Sequence, residues 1–390
     1  MRKSWKTKLI HTDAKVPEGF RSLATPVYRG STVLFPESAA VTDDWDQEKH
    51  GYTYGLYGTP TTLELAARVC ELEGGKHTII TAGGQGAIAL VNLSLLKAGD
   101  HVLIPNNIYG PHRRLANDVL RRFGVEASYY DPLIGAEIAE QIRDNTRLVW
   151  CESPGSLTME VQDVPEIAKA AHQRGALVAI DNTWAAGVSF KPFEHGVDIS
   201  MQALTKYVAG HSDLLLGSVT VRDRAIYEKF GHTHHLIGCS ASPDDCSLAI
   251  RGMKTMAVRL KQIEESALRV AKWLRERPEI GRVLHPALPS CPGHEFWKRD
   301  FNGSTGLFAV VFKPGPTKQQ IQAFVDALDL FELGYSWGGV TSLAVAYDMS
   351  HAKGRPDYGH RIVRFYVGLE DPQDLINDLE QAITRTFGAT

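Results

Sequence analysis

The sequence predicts an α/β protein with a large, mostly parallel sheet domain and a smaller C-terminal α+β domain. Three observations predict it. Between about residues 60 and 220, short β-branched runs alternate with longer amphipathic stretches, the pattern of a parallel sheet with crossover helices. One long helical region follows, and beyond it strand and helix patterns recur in mixed order. The 390 residues are enough for two or three domains of roughly 100–200 residues each.

In chain order, the expected strands of the large domain are His77–Ala82, His101–Pro105, Ala127–Tyr130, Arg147–Glu152, Ala176–Asp181, Ile199–Leu204 and Leu215–Val221. Helical spacing marks Ala87–Leu96, Pro111–Phe123 and Val164–Arg174 between them. From Asp245 to Glu276, Leu248, Met256, Leu260, Ile263, Leu268, Val270 and Leu274 recur near helical spacing until Pro278 stops the run. Strands Gly306–Phe312 and Ile362–Val367 and helices Lys318–Ala327 and Pro372–Phe387 complete the second domain. The expected division is an N-terminal arm over 1–55, a large domain over 56–250 and an α+β domain over 251–390.

Composition narrows the function. Charged residues make up 22% and hydrophobic ones 43%, ordinary for a globular protein. A net charge of -3 gives no broad positive field for nucleic acid. The segment Met1–Lys15 is interrupted by Lys6, Lys8 and His11 and has no secretory apolar core, so a cytoplasmic location is expected. The longest apolar stretch, Ala87–Leu96, is far short of the ~20 residues a bilayer span needs, so no membrane span is expected. Five cysteines without CxxC spacing predict reduced thiols. His232, Thr233, His234 and His235 lack a nearby partner at ligand spacing and read as a solvated loop, with no metal expected.

Ligands of open α/β sheets bind beyond the carboxyl ends of the strands, and four expected ends carry chemistry. Gly83, Gly84, Gln85 and Gly86 lead into a helix, where backbone N–H groups and the helix dipole favour an anion, although such turns also serve structure alone. Tyr109 offers an aromatic face and a hydroxyl, or simply a packed ring. Asp181 closes a buried strand, where a carboxylate needs donors or a cation. Lys206 follows another apolar run, where desolvation makes an amine nucleophilic unless the side chain only reaches for solvent. Together they form an anion nest, an aromatic plate, a carboxylate and a reactive amine. Pyridoxal phosphate (PLP) needs that set for its phosphate, ring, pyridine nitrogen and aldehyde.

The chain also carries CELEGG (Cys70–Gly75), GDHV (Gly99–Val102), DPLIGA (Asp131–Ala136), ESPGSLTMEVQDVP (Glu152–Pro165), IDNTWAAGV (Ile180–Val188), TKYVAGHSD (Thr205–Asp213), HEFWKRDF (His294–Phe301), YSWGG (Tyr335–Gly339) and VGLED (Val367–Asp371). With these segments in order, the sequence closely resembles the Cys/Met-metabolism family of fold-type I PLP enzymes, the transsulfuration enzymes. YSWGG is similar to the version found in the β-lyase branch. The resemblance implies a carbon–sulfur lyase of methionine biosynthesis that splits L-cystathionine by β-elimination into homocysteine, pyruvate and ammonia, and that also accepts other S-substituted cysteines such as cystine.

It further implies that Lys206 binds the cofactor aldehyde and moves protons, Asp181 pairs with the pyridine nitrogen and Tyr109 stacks on the ring. The backbone at Gly84 and Gln85 and the Thr205 hydroxyl would hold the phosphate. Arg364 would clamp the substrate carboxylate, assisted by Ser336, with Trp337 lining the pocket. Tyr54 would reach in from a neighbouring subunit of a homotetramer built as a dimer of dimers. One departure stands out: where the family commonly has Tyr-x-Arg, this chain has Tyr54-Gly55-Leu56, so Leu56 is expected near the phosphate without bonding it. The alternatives are a γ-acting relative (cystathionine γ-synthase, cystathionine γ-lyase or methionine γ-lyase) and a non-catalytic PLP-binding regulator. A regulator would need a DNA-binding module that the first ~50 residues do not suggest.

Overall fold

The computed structural model describes residues 4–10, 22–350 and 356–388. In its first domain, β1 (His77–Thr81), β2 (His101–Pro105), β3 (Glu126–Tyr130), β4 (Thr146–Glu152), β5 (Leu177–Asp181), β6 (Ile199–Gln202) and β7 (Gly217–Val221) form one sheet in the order β1-β7-β6-β5-β4-β2-β3. Only β7 runs antiparallel, to both β1 and β6; the other pairs are parallel. The central strands β4, β5 and β6 are buried along nearly their whole length because helices cover both faces. Val149, Cys151, Val178 and Ile180 feed one core, whereas Leu148, Trp150 and Ala179 feed the other. Full burial of a side chain the size of Val or Leu contributes about 1.5–3 kcal/mol, which pins the register, since a one-residue slip would exchange the two faces.

The second sheet joins β8 (Ile280–Leu284), β9 (Leu307–Phe312), β10 (Glu332–Leu333), β11 (Leu343–Tyr347) and β12 (Ile362–Tyr366) in the order β10-β11-β12-β9-β8. It has two unlike faces. Phe308, Val310, Phe312, Val363 and Phe365 pack with Leu375, Leu379 and Ile383 of the helix Pro372–Phe387. Leu307, Ala309, Val311, Ile362 and Tyr366 join the core of the large domain instead. Arg364 alternates onto that second face, so strand periodicity aims it at the large domain.

The expected elements form, with ends shifted by a few residues, but several expectations need correction. Pro111–Phe123 is not one regular helix: it is α-helical over Gly110–Arg114, widens to a π turn over Leu115–Val119 and tightens to 3₁₀ over Leu120–Phe123. The run His232–His235 is not a loop. It lies on the helix Arg224–Ile237, begun by the Asp223 side chain accepting from Ile226 N and ended by left-handed Gly238. His234 is buried there, with Nε2 3.2 Å from the carbonyl oxygen of Ile80. The boundary expected at 250/251 falls inside the continuous helix Pro243–Arg275, whose Cys246–Ile263 half packs on one core and Ala267–Leu274 half on the other.

Within the expected arm, Trp5–Ile10 is a short helix packed on its own chain. Leu9 is buried, its carbonyl accepts from Arg68 Nη1 at 3.1 Å, and Lys8 pairs with Glu71. The rest of the arm's amino end, residues 1–3 and 11–21, lies outside the described residues. The helix Pro60–Glu73 and the strands β8, β10 and β11 were not among the expected elements. The cysteines are free thiols, and no helix among the described residues is long and apolar enough to cross a membrane.

Candidate active site

The site is built where the carboxyl ends of β5 and β6 face the second sheet. Below those ends, Glu73 is wholly buried and accepts hydrogen bonds from Asn182 Nδ2 (3.1 Å), Ser200 Oγ (2.9 Å) and Gln202 Nε2. Three neutral donors offset part of its desolvation, yet burial still raises its pKa. This network ties β6 to the residue that follows Asp181.

Asp181 is buried, and Oδ1 accepts from Thr183 N at 3.0 Å and Thr183 Oγ1 at 2.5 Å. Burial raises its pKa, opposed by these bonds and by Lys206. Thr183 Oγ1 also accepts from Ala203 N at 2.9 Å, which locks the turn after β5 to the one after β6. Thr183 was not singled out from the sequence. Its spacing two residues after an aspartate at a strand end is the signal that could have marked it.

Lys206 donates through Nζ to Ser336 Oγ, and its ammonium lies 5.4 Å from the Trp337 ring centroid. Burial lowers its pKa first, Arg364 lowers it further and Asp181 opposes them, leaving it at about 8. Ser336 is a left-handed non-glycine residue (φ 77°), a conformation that needs surrounding structure to hold it. That support is visible at Gly338, where an added Cβ would come within 2.8 Å of the Lys206 backbone. Arg364 donates to the carbonyl oxygen of Ser336 at 3.3 Å, and among the described residues it meets no carboxylate. A half-buried guanidinium without an anion among those residues is chemically suited to receive one.

Tyr109 is held by its backbone, whose N–H donates to Glu152 Oε2 at 2.7 Å, while its ring is 42% exposed and therefore free to cover a ligand. Partial burial of its hydroxyl raises its pKa, so the phenol stays protonated at neutral pH. Glu152 was also missed, because nothing in the sequence shows that it reaches across from β4.

The glycine turn expected to hold an anion opens a helix. The helix Gly84–Leu95 starts without a side-chain cap or an acidic residue in its first turn, so its first N–H groups are open. A Cβ on Gly84 would lie 2.7 Å from Ala203 Cβ, which explains the glycine. The Gln85 side chain meanwhile donates to the carbonyl oxygen of Pro111 at 3.3 Å. Replacing Gly84 by Ala should push this turn off Ala203 and weaken PLP retention several-fold; equilibrium dialysis with PLP measures it, and unchanged retention would mean the turn does not touch the phosphate.

The structure brings Lys206, Ser336, Trp337 and Arg364 into one linked cluster, joined to Asp181 and Gly84 through Thr183 and Ala203. It does not place every expected group there. Thr205 Oγ1 already donates to Leu216 O at 3.1 Å and accepts from Leu216 N at 3.0 Å, so its one proton is engaged away from a phosphate. Tyr54 is 43% exposed, pairs as a β-bridge with Thr32 and meets Tyr57 edge-on. Leu56 lines a groove of about 510 Å³ with Trp45, Tyr57 and His234, which holds none of the linked cluster.

A partly buried lysine, a buried carboxylate and an uncapped helix start together fit PLP. The family model described as Cys/Met metabolism PLP-dependent enzyme matches residues 6–384. The chain belongs to this family.

Among relatives of this Cys/Met metabolism enzyme, a protein of Rhizobium johnstonii named putative cystathionine beta-lyase is 46% identical, covering 96% of this chain and 94% of that one. The cystathionine beta-lyase MetC of Escherichia coli is 40% identical over 97% of this chain and 98% of its own length. The crystal structure of cystathionine gamma-lyase from Lactobacillus plantarum complexed with L-serine superposes with a TM-score of 0.90 at 29% identity, covering 99% of this chain and 100% of that one. The fold is that of fold-type I PLP enzymes, and the cofactor of this family member is pyridoxal 5'-phosphate.

Proposed function

We propose that this Cys/Met metabolism enzyme is a carbon–sulfur lyase that splits L-cystathionine by β-elimination into homocysteine, pyruvate and ammonia. The observation that carries it is the Lys206 amine, bonded to Ser336, lowered to about pKa 8 and set between Asp181 and Arg364, which meets no carboxylate among the described residues. The relatives named cystathionine beta-lyase support the choice of bond.

PLP bound in this cradle supplies an electron sink for the charge left at the substrate α-carbon. In the proposed division of labour, the N–H groups at Gly84 and Gln85 hold the phosphate at the helix start. Asp181 keeps a proton on the pyridine nitrogen. Tyr109 covers the ring face and keeps its hydroxyl proton available as a donor. Arg364, oriented by the Ser336 carbonyl, binds the substrate carboxylate, while Trp337 walls the pocket and the Ser336 hydroxyl holds the Lys206 amine. Lys206, neutral for an appreciable fraction of molecules near pH 7, takes the α-proton and returns it where a proton is needed.

The small-molecule reading extends to assembly. In it, Tyr54 and Leu56 of a neighbouring subunit complete the phosphate end of the cradle, as the exposure of Tyr54 allows, within a homotetramer acting in the cytoplasm. Cystine and other S-substituted cysteines are further substrates of the same reading. The likeness to a cystathionine gamma-lyase structure keeps γ-cleavage as a second reading. Mixing the PLP-loaded protein with L-cystathionine and identifying the keto acid decides between them: pyruvate with homocysteine is expected, whereas 2-oxobutyrate with cysteine would move the reaction to the γ-carbon.

A further inference from the structure

We propose that Tyr347 is a positioning residue of the substrate carboxylate site, its ring holding the Arg364 guanidinium while leaving the N–H edge open. The inference rests on the reading of Arg364 as the carboxylate clamp.

Strand register puts the two side chains together. Val345 pairs with Arg364 and Tyr347 with Ile362, so Tyr347 and Arg364 are diagonal neighbours on adjacent strands, on the face turned to the large domain. The guanidinium carbon lies 5.4 Å from the Tyr347 ring centroid, within the range of a cation–π contact. Arg364 needs such support. Burial pulls its pKa down, and among the described residues its one hydrogen bond, to Ser336 O, leaves most of its five N–H groups without an acceptor.

The chemistry of the neighbour matters. An aspartate or glutamate at position 347 would stabilise the charge but would also occupy the N–H fork and repel an incoming carboxylate. A tyrosine face attracts the cation through its quadrupole and takes up no N–H group. Burial raises the pKa of Tyr347, so at neutral pH no phenolate competes with substrate. The other phenols near Arg364, Tyr335 and Tyr109, are 81% and 42% exposed, which leaves Tyr347 as the more enclosed of the three.

The test uses PLP-loaded wild type, Tyr347→Leu, Tyr347→Phe and Arg364→Leu proteins. KM and kcat for L-cystathionine are measured, together with the affinity for glycine read from the change in cofactor absorbance. Tyr347→Leu is expected to raise KM and the glycine Kd about five- to thirtyfold, the size of a partly desolvated cation–π contact, with a much smaller change in kcat and in resting cofactor absorbance. Tyr347→Phe, which keeps the ring, should recover most of that affinity. Unchanged KM and glycine Kd in Tyr347→Leu, beside a large rise in Arg364→Leu, would overturn this inference alone. So would a Tyr347→Phe protein as defective as Tyr347→Leu, or cofactor loss with kcat falling as far as affinity in Tyr347→Leu. If Arg364→Leu itself leaves KM unchanged, the clamp reading falls and the inference with it.

Discussion

Replacing Lys206 by alanine is expected to remove turnover of L-cystathionine to the limit of detection. Loss of a positioned proton-transfer group alone costs about 10²–10⁴-fold, and here the same amine also anchors the cofactor. The tuned pKa gives this a pH signature. At the ordinary value of 10.5, about one amine in three thousand is neutral at pH 7, whereas at about 8 roughly a tenth is. Because the neutral form attacks an aldehyde, PLP uptake by cofactor-stripped wild type should speed up as pH rises toward about 8 and then level off. Pyruvate release and the absorbance change on PLP addition measure the two effects. Substantial turnover by Lys206→Ala would remove this residue from the centre of the site, and an uptake rate still climbing steeply above pH 9 would mean that the amine is not desolvated.

The second large effect is expected at Asp181. Asparagine keeps the size and can still accept from Thr183, but it cannot hold a proton on a facing pyridine nitrogen. Turnover should fall by about 10²–10³-fold, the usual loss when a preorganised electrostatic partner is removed from a dry site. The fold should survive, because the change removes a buried charge whose desolvation burial already opposes. Steady-state pyruvate release together with thermal melting separates the two. Activity within tenfold of wild type would show that the ring nitrogen is not served by Asp181, and a collapsed melting temperature would show a structural carboxylate instead.

Much of the site was legible because its parts sit in chain order at strand ends. Apolar runs that stop at Asp181 and Lys206 announce buried strands with a costly polar residue at the tip, and no contact map is needed to see that. Glycines before Ala87 announce a backbone anion site in the same way. The misreadings have local causes. The His232–His235 run looked like a loop because four polar residues mask a helix whose buried face is carried by Phe230, Gly231 and His234. Pro111–Phe123 reads as a plain helix because side-chain periodicity does not reveal a π turn over Leu115–Val119. Thr205 was assigned to the phosphate by the family resemblance, while its hydroxyl is engaged with Leu216, eleven positions further along the chain.

By itself, then, the sequence determined the alternating α/β architecture and marked Lys206, Asp181 and the glycines before Ala87 as candidates for a reactive amine, a carboxylate and an anion nest. Period, chain order and the cost of polar groups at buried strand ends are all local properties. Only the tertiary structure decided which distant groups meet them. Thr183 bridges the turns after β5 and β6, Glu73 braces them from below, and the second sheet turns Arg364 and Tyr347 toward Lys206. Those contacts depend on strand register and on the seating of one sheet against the other core, and packing sets both through residues scattered over the whole chain.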